Sequence, residues 1–118
     1  MVEYQTATGP AAARRLDSVF TALGDPTRRA ILARLRRGDA TVGDLAQPFA
    51  VSLNAVSKHL KVLERAGLVR RRRTGREHWL SLDAAPLTNA AKWIVDYQDF
   101  WNTKLDRMDA LLRRRANT

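Results

Sequence analysis

The sequence contains no cysteine among its 118 residues. Disulfide bonds, thiolate metal sites and cysteine redox chemistry are therefore excluded, although this absence alone does not identify the cellular compartment. The sequence also lacks any apolar run near the roughly 18 residues that a membrane span requires, and its N-terminus has no signal-peptide pattern. We therefore expect a soluble, cytoplasmic protein that does not enter a membrane.

Recognisable catalytic patterns are missing as well. The sequence has no glycine-rich phosphate loop, no HExxH or comparable ligand cluster and no Ser-His-Asp order. Its two histidines, His59 and His78, stand singly. The aspartates of the C-terminal region have no histidine near them, so a solvent-facing position explains them better than a metal site does. We predict a protein that is not an enzyme and that needs no cofactor or metal.

Acidic residues are scarce relative to basic ones. Twelve aspartates and glutamates stand against 21 lysines and arginines, which leaves a formal net charge of +9 and a pI near 11.2. Most of this excess lies between residues 51 and 82, where only Glu64 and Glu77 oppose eight basic residues. The eight are Lys58, Lys61, Arg65, Arg70, Arg71, Arg72, Arg73 and Arg76. Positive charge this concentrated favours nucleic acid as the partner, ahead of acidic proteins or membrane surfaces.

Hydrophobic periodicity predicts a mainly α-helical fold with a small β-hairpin. Residues 1–10 show no periodicity and are expected to form a flexible N-terminal arm, whereas residues 11–118 are expected to form a single domain. About five helices are predicted, from apolar spacing and capping residues. They are a first helix with Leu16, Val19, Phe20 and Leu23 on one side, a second capped by Asp25, a short third beginning at Thr41, a fourth capped by Ser52, and a long fifth over about residues 86–115.

The third and fourth predicted helices form a helix-turn-helix, because a short capped helix is followed by a tight turn and a second helix with a polar outer side. Val56, Leu60 and Leu63 would hold the fourth helix against the core. Its N-terminal side chains could then meet base edges in the major groove of DNA. The predicted base-reading residues are Ser52, Leu53, Asn54, Ser57 and Lys58.

Each predicted contact follows from side-chain chemistry. Asn54 can pair with adenine through two hydrogen bonds, Lys58 can donate to guanine, and Leu53 can touch a thymine methyl group. Further along the helix, His59, Lys61 and Arg65 are predicted to contact the phosphate backbone, which adds affinity without sequence information.

Two strand-like runs, 68–73 and 76–82, follow the fourth helix and are separated by Thr74 and Gly75. Gly75 can adopt the positive φ that a two-residue hairpin turn demands. This hairpin is predicted to be a two-stranded wing that reaches the neighbouring minor groove. The wing residues expected to meet DNA are Arg71, Arg72, Arg73 and Arg76.

Taken together, these features resemble the ArsR/SmtB family of winged-helix bacterial transcriptional regulators. The resemblance runs over about residues 19–112 and depends on three blocks with consistent spacing. The blocks are FTALGDPTRRAIL at 20–32, Ser52 with VSKHLKVL at 56–63, and AGLV at 66–69 before the basic wing. The resemblance implies a homodimer, joined through its first and last helices, that binds a pseudo-palindromic operator on double-stranded DNA and represses transcription. The interface residues implied are Leu16, Phe20, Ile94, Tyr97, Trp101, Leu105, Met108 and Leu112.

The sequence departs from the metal-sensing branches of that family. One branch carries a cysteine pair on the third helix, which residues 41–45 lack, and another carries histidines on the last helix, which has none here. The last helix instead resembles a cysteine-free branch that is often encoded beside START-like ligand-binding proteins. The residues that carry this resemblance are Pro86, Leu87, Trp93, Tyr97, Phe100, Trp101 and Leu105. That similarity implies an unidentified organic effector, a partner protein, or no effector.

Two other functions stay open at this stage. A winged-helix adaptor could use its long last helix to dock a partner protein without binding specific DNA. A sensor gated by a ligand or metal would keep DNA binding but change its affinity. RNA binding is less favoured, because the sequence predicts no aromatic-faced sheet on which unpaired bases could stack.

Overall fold

The computed structural model describes residues 2–49 and 51–117, with the backbone alone over 2–8. Within these residues the chain forms five helices and three strands, so the predicted winged helix-turn-helix fold is confirmed. The elements are α1 (Val2–Leu23), α2 (Pro26–Leu35), β1 (Ala40–Thr41), α3 (Val42–Ala46), α4 (Leu53–Arg65), β2 (Val69–Thr74), β3 (Glu77–Leu82) and α5 (Ala85–Ala116).

One cluster of buried side chains joins these elements. It receives Val19 from α1, Ile31 from α2, Leu45 from α3, Leu60 from α4 and Leu80 from β3, and each of them is at most 2% exposed. Full burial of a side chain of this size contributes roughly 1.5–3 kcal/mol relative to exposure. The helix-turn-helix is therefore fixed to α1 and to the sheet by apolar contacts.

The predicted starts of α2, α3 and α4 are confirmed. The Asp25 carboxylate accepts a hydrogen bond from the backbone N–H of Arg28 at 3.0 Å and caps α2. Thr41 and Asp44 form a reciprocal capping box on α3. The Ser52 hydroxyl accepts from the backbone N–H of Ala55 at 3.2 Å and caps α4. Each bond satisfies a backbone donor that the first helical turn leaves without an intrahelical partner.

The cap at Asp25 makes stability depend on pH. The backbone N–H of Arg28 is the main cause that lowers the pKa of Asp25 below its ordinary value of 3.8. A carboxyl whose pKa is lower in the folded state than in the unfolded state stabilises the fold above the unfolded pKa. That stabilisation is lost as the pH falls through the folded pKa.

We therefore expect Asp25→Asn, which keeps a capping oxygen but cannot titrate, to flatten the fall in melting temperature between about pH 5 and 2. Thermal unfolding of both proteins across this range measures the effect. Some acid sensitivity should remain in the variant, since the backbone N–H of Ala85 also lowers the pKa of Asp83. Identical pH profiles for the two proteins would exclude a contribution from Asp25.

The sheet differs from the predicted two-stranded wing, because β1 adds a third strand. The strand order is β1-β3-β2, and both pairings are antiparallel. Ala40 pairs with Leu80, and Thr41 pairs with Trp79. A strand of two residues is too short to show alternation in sequence, so periodicity could not predict it. The wing is thereby anchored next to the N-terminus of α3.

The N-terminal region contains a helix that the sequence did not predict. Within the predicted N-terminal arm, residues 2–8 are helical as the first part of α1, and the flexibility of this arm stays a prediction. Gly9 then departs from helical geometry, with φ 67° and ψ 171°, immediately before Pro10. Neither glycine nor proline, the residues that disfavour a helix interior most, lies between residues 2 and 8, so a helix can form there even without an apolar stripe. The predicted boundary near residue 10 coincides with this kink.

The last helix is long and mostly exposed. Its 32 residues span about 48 Å at 1.5 Å per residue, and Ala90 is its one buried residue in the described part of the chain. The principal-axis extents are 74 × 33 × 21 Å, with a radius of gyration of 20.0 Å. A compact domain of this length would have a radius near ~13 Å, so α5 projects beyond the core. None of the described helices is long and apolar enough to cross a membrane.

Candidate nucleic-acid interface

The two sides of α4 differ as predicted. Val56, Leu60 and Leu63 are fully buried, whereas Asn54 and Lys58 are exposed. The buried side anchors the helix through non-directional apolar contacts. The polar side, which sequence analysis assigned to DNA, lies at the protein surface and is open to a partner.

The predicted base-reading residues are not equally placed. Asn54, Lys58 and Leu53 are exposed, the last at 58%, and Ser57 is half-buried. The Ser52 hydroxyl is already used as the N-cap acceptor, although it is solvent-exposed and a hydroxyl keeps a proton and a second lone pair for another bond. The base contacts of all these residues stay predictions.

The three predicted backbone-contacting residues of α4 also differ in their surroundings. Lys61 and Arg65 are exposed. His59 is half-buried, with its Nδ1 atom 3.3 Å from Nη1 of Arg28 and 3.8 Å from a carboxylate oxygen of Asp25. Arg28 was missed by sequence analysis, because a contact across 31 residues of sequence leaves no local pattern. His59 therefore links α4 to the start of α2.

Two of the four predicted wing arginines are ion-paired. Arg71 donates to Glu64 of α4 at 2.7 Å, and Arg72 lies 3.7 Å from Asp39. Exposed pairs of this kind contribute roughly 0–1 kcal/mol each. The ion pair between Arg71 and Glu64 nevertheless joins the start of the wing to α4. The two elements that were predicted to bind DNA are therefore connected directly.

The other two wing arginines lie towards its tip. Arg73 donates from Nε to the carbonyl oxygen of Gly75 at 3.1 Å, and Arg76 occupies the turn itself. In the described part of the chain, neither has a carboxylate oxygen within 4.0 Å of its guanidinium. Their charges are therefore not neutralised by a described carboxylate.

The turn of the wing is displaced by one residue from its prediction. Thr74 pairs with Glu77 as the last ladder position, so the two-residue turn is Gly75 and Arg76, and not Thr74 and Gly75. Gly75 has φ 63°, and no other residue of the turn has a positive φ. Glycine at the first central position is the requirement of a type II′ hairpin turn.

Arg70 lies on the opposite face of β2 from Arg71 and Arg73, because successive side chains of a strand alternate. It pairs with Asp83 at 2.9 Å and is 77% exposed. Asp83 also accepts from the backbone N–H of Ala85 at 3.1 Å, at the start of α5. The arginine run is therefore divided between two faces.

The residues of the predicted dimer interface fall into two groups. Leu16 and Phe20 on α1 are partly buried against the core. The six on α5 are 45–61% exposed, and they are Ile94, Tyr97, Trp101, Leu105, Met108 and Leu112. A contiguous exposed apolar surface of this kind is a mark of an interaction site. Its assignment to a dimer stays a prediction.

A chain of aromatic contacts links α1 to this exposed surface. The Phe20 and Trp93 rings meet edge-on with centroids 5.8 Å apart, and Trp93 stacks on Tyr97 at 5.2 Å. The Lys104 ammonium lies 4.9 Å from the centroid of Phe100. The aromatic side chains of α5 thus contact one another in succession along the helix, as they would in a core or an interface.

A metal site has no candidate in the described residues, where no three histidine, aspartate or glutamate side chains lie close enough to share an ion. Two surface depressions are open to solvent. One is lined by residues of α1 and α4 that include Asp17 and Arg65. The other adjoins the start of α5 at Pro86.

Comparison with known proteins places these features in context. A family model described as a helix-turn-helix domain matches residues 23–72, which include α2, α3 and α4. The transcriptional repressor SdpR of Bacillus subtilis is 37% identical over 82 residues, which is 70% of this chain and 91% of the relative. The HTH-type transcriptional regulator Rv2034 of Mycobacterium tuberculosis is 44% identical over 92 residues, with 78% and 83% covered.

Solved structures agree with the sequence comparisons. An ArsR family transcriptional regulator superposes with a TM-score of 0.72 and 40% identity, covering 76% of this chain and 93% of that protein. An ArsR-like transcriptional regulator from Rhodococcus sp. RHA1 superposes with a TM-score of 0.72 and 34% identity, covering 86% and 95%.

Proposed function

This chain belongs to the ArsR/SmtB family of helix-turn-helix transcriptional regulators, and from that premise we propose that it is a homodimeric repressor of a pseudo-palindromic operator. The observation that carries the proposal is the pairing of an exposed polar flank on α4 with an arginine-rich wing tied to that helix by Arg71 and Glu64. A cytoplasmic location is part of the proposal, because a repressor of this kind acts on chromosomal DNA.

In the proposed complex, α4 lies in the major groove with its N-terminus towards the bases. Asn54 reads adenine and Lys58 reads guanine through hydrogen bonds, and Leu53 contacts a thymine methyl group. Ser52 and Ser57 complete the set of short polar side chains at this end. The buried stripe of α4 supports this assignment, because a reading helix has to be held in a fixed orientation.

Phosphate contacts are assigned to the rest of the positive surface. On α4 we propose that His59, Lys61 and Arg65 meet the backbone, where contacts give affinity without discrimination between bases. At the wing, Arg73 and Arg76 are proposed to be the principal contacts. Arg71 and Arg72 have intramolecular carboxylate partners, and we propose that they contribute mainly by holding the wing.

Dimerisation is proposed through α1 and α5. The exposed apolar residues of α5 recur at spacings of three and four from Ile94 to Leu112, which keeps them on one side of the helix. Burying this surface against a second copy would remove it from water. A two-fold dimer could then place its two α4 helices about 34–36 Å apart, in successive major grooves on one side of the duplex.

The proposal is tested by selecting bound sequences from a pool of random duplexes at low salt. We expect the selected duplexes to share an inverted repeat whose half-site centres lie about 10–10.5 base pairs apart. Band-shift titration should then give a higher affinity for the selected sequence than for a scrambled duplex of equal length. The adaptor function would be favoured instead if the protein bound no duplex at 50 mM salt and a partner protein bound to it in stoichiometric amount through α5.

A further inference from the structure

We propose that Arg28 is a positioning residue for the recognition helix, which it fixes through His59. The inference depends on the proposed function, because it assigns Arg28 a role in DNA binding by α4. The observation behind it is that Arg28, a residue of α2, contacts both α1 and α4 through its guanidinium.

The first part of the argument concerns α1. The last carbonyl groups of a helix have no intrahelical donor. Nε of Arg28 donates to the carbonyl oxygen of Ala22 at 2.8 Å, and Nη2 donates to that of Thr21 at 2.9 Å. Because the guanidinium is planar and its donors are fixed in one plane, these two bonds determine where its third nitrogen, Nη1, points.

The second part concerns the histidine. Nη1 of Arg28 lies 3.3 Å from Nδ1 of His59. An arginine has donors only, so this contact is a hydrogen bond when Nδ1 accepts and the neutral ring carries its proton on Nε2. Arg28 therefore selects one tautomer of His59. A quarter of the His59 side chain is exposed, and Nε2–H is the form that can donate to a phosphate oxygen.

The third part concerns what else holds α4. Its buried contacts are apolar and impose little direction. His59 also lies 3.8 Å from a carboxylate oxygen of Asp25. Apart from His59, the polar side-chain contact described between α4 and another element is Glu64 to Arg71, near the C-terminal end of α4. His59 is one residue from Lys58 and five from Asn54 in the sequence. Its bond to Arg28 is therefore the hydrogen bond to another element that lies nearest the N-terminal end of α4, where base recognition is proposed. Loss of that bond should let α4 rotate or slide while it remains helical.

The neighbouring arginine provides a matched control. Arg29 also lies on α2, carries the same charge, and donates to the C-terminal end of α1 through the carbonyl oxygen of Leu23 at 2.7 Å. It makes no described contact with His59. Arg28→Ala and Arg29→Ala each remove one positive charge and the hydrogen bonding of that arginine to carbonyl oxygens at the end of α1. Only Arg28→Ala also removes the bond to α4.

We expect Arg28→Ala to weaken binding of the dimer to the selected duplex roughly a hundredfold, from a factor of about ten for the hydrogen bond to a charged group lost in each protomer, and Arg29→Ala to change it less than about threefold. His59→Phe, which keeps the ring packing but also removes the proposed phosphate contact of His59, should lose at least as much affinity as Arg28→Ala. The double variant should lose little more than His59→Phe alone, because Arg28 acts on α4 through that ring. Circular dichroism checks the helical content of each variant. If Arg28→Ala does not fold, Arg28→Lys replaces it, since an ammonium cannot reproduce the planar set of donors.

A measurement without DNA completes the test. In long-range proton–nitrogen spectra at about pH 8, where a free histidine is neutral, His59 of the full chain should carry its proton on Nε2. Its Nδ1 resonance should move towards that of an unbonded nitrogen in the Arg28 variant and stay in place in the Arg29 variant. A proton on Nδ1, or multiplied losses in the double variant, would overturn the inference. So would single variants that bind DNA like the wild type, whereas a wild-type chain that binds no duplex would contradict the proposed function itself.

Discussion

Leu105→Glu should convert the protein from a dimer into a monomer and lower its affinity for the selected operator by roughly 10³-fold, towards the level of non-specific binding. Leu105 is 57% exposed at the middle of the apolar stripe on α5. In a two-fold interface one substitution places two carboxylates in the contact. Burying each costs several kcal/mol unless it finds a cationic partner. A monomer would retain one half-site and lose the gain from binding both together.

Val95→Glu is the matched control for this prediction. Val95 is 50% exposed on the same helix, but it lies roughly a third of a turn from the axis of the stripe, at 3.6 residues per turn. It should remain dimeric and bind the operator within about threefold of wild type, the range expected for one added surface charge. Sedimentation equilibrium and band-shift titration measure both properties. A Leu105→Glu protein with wild-type mass and affinity would show that this surface has another occupant, as the adaptor function requires.

Salt should weaken operator binding by roughly 10⁴-fold between 50 and 200 mM, if each protomer makes about four phosphate contacts. Eight contacts give a slope near −7 for log K against log salt, because each contact releases about 0.9 of a counterion. The positive charges of α4 and the wing tip make such contacts available. A flat response would count heavily against DNA binding by this surface.

Arg73→Ala should reduce the steepness of this slope by about 2 in the dimer, since one contact is lost from each protomer. It should weaken binding to selected and scrambled duplexes alike, because phosphate contacts carry no sequence information. Arg70→Ala removes the same charge from the same strand, but Arg70 lies on the other face and pairs with Asp83. The slope of log K against log salt for Arg70→Ala should stay close to that of the wild type. Equal changes for the two variants would show that the protein responds only to net charge.

Local signals in the sequence were sufficient to predict the helices. Asp25 and Ser52 act through backbone donors three residues away, so their caps are legible from sequence alone. The buried stripe of α4 follows equally from a spacing of three and four. The helix over residues 2–8 was missed because the prediction relied on an apolar stripe, which the sequence of that segment does not show.

Contacts between residues that are distant in the sequence could not be predicted from local patterns. The two-residue strand β1 exists only because Ala40 and Thr41 meet β3. Charge counting treated the wing arginines as equivalent, whereas the fold pairs Arg71 with Glu64 and Arg72 with Asp39. These differences depend on which elements the core brings together.

The most direct test of the central claim, that the exposed flank of α4 reads bases in the major groove, is the affinity of Asn54→Ala for selected and scrambled duplexes. Asn54 carries no charge, so its removal should leave phosphate contacts unchanged. We predict that binding of the dimer to the selected duplex falls by about 2–6 kcal/mol, from one bidentate base contact of about 1–3 kcal/mol in each protomer, while binding to the scrambled duplex stays the same. An equal loss on both duplexes, or no loss on either, would contradict the assignment of this flank to base recognition.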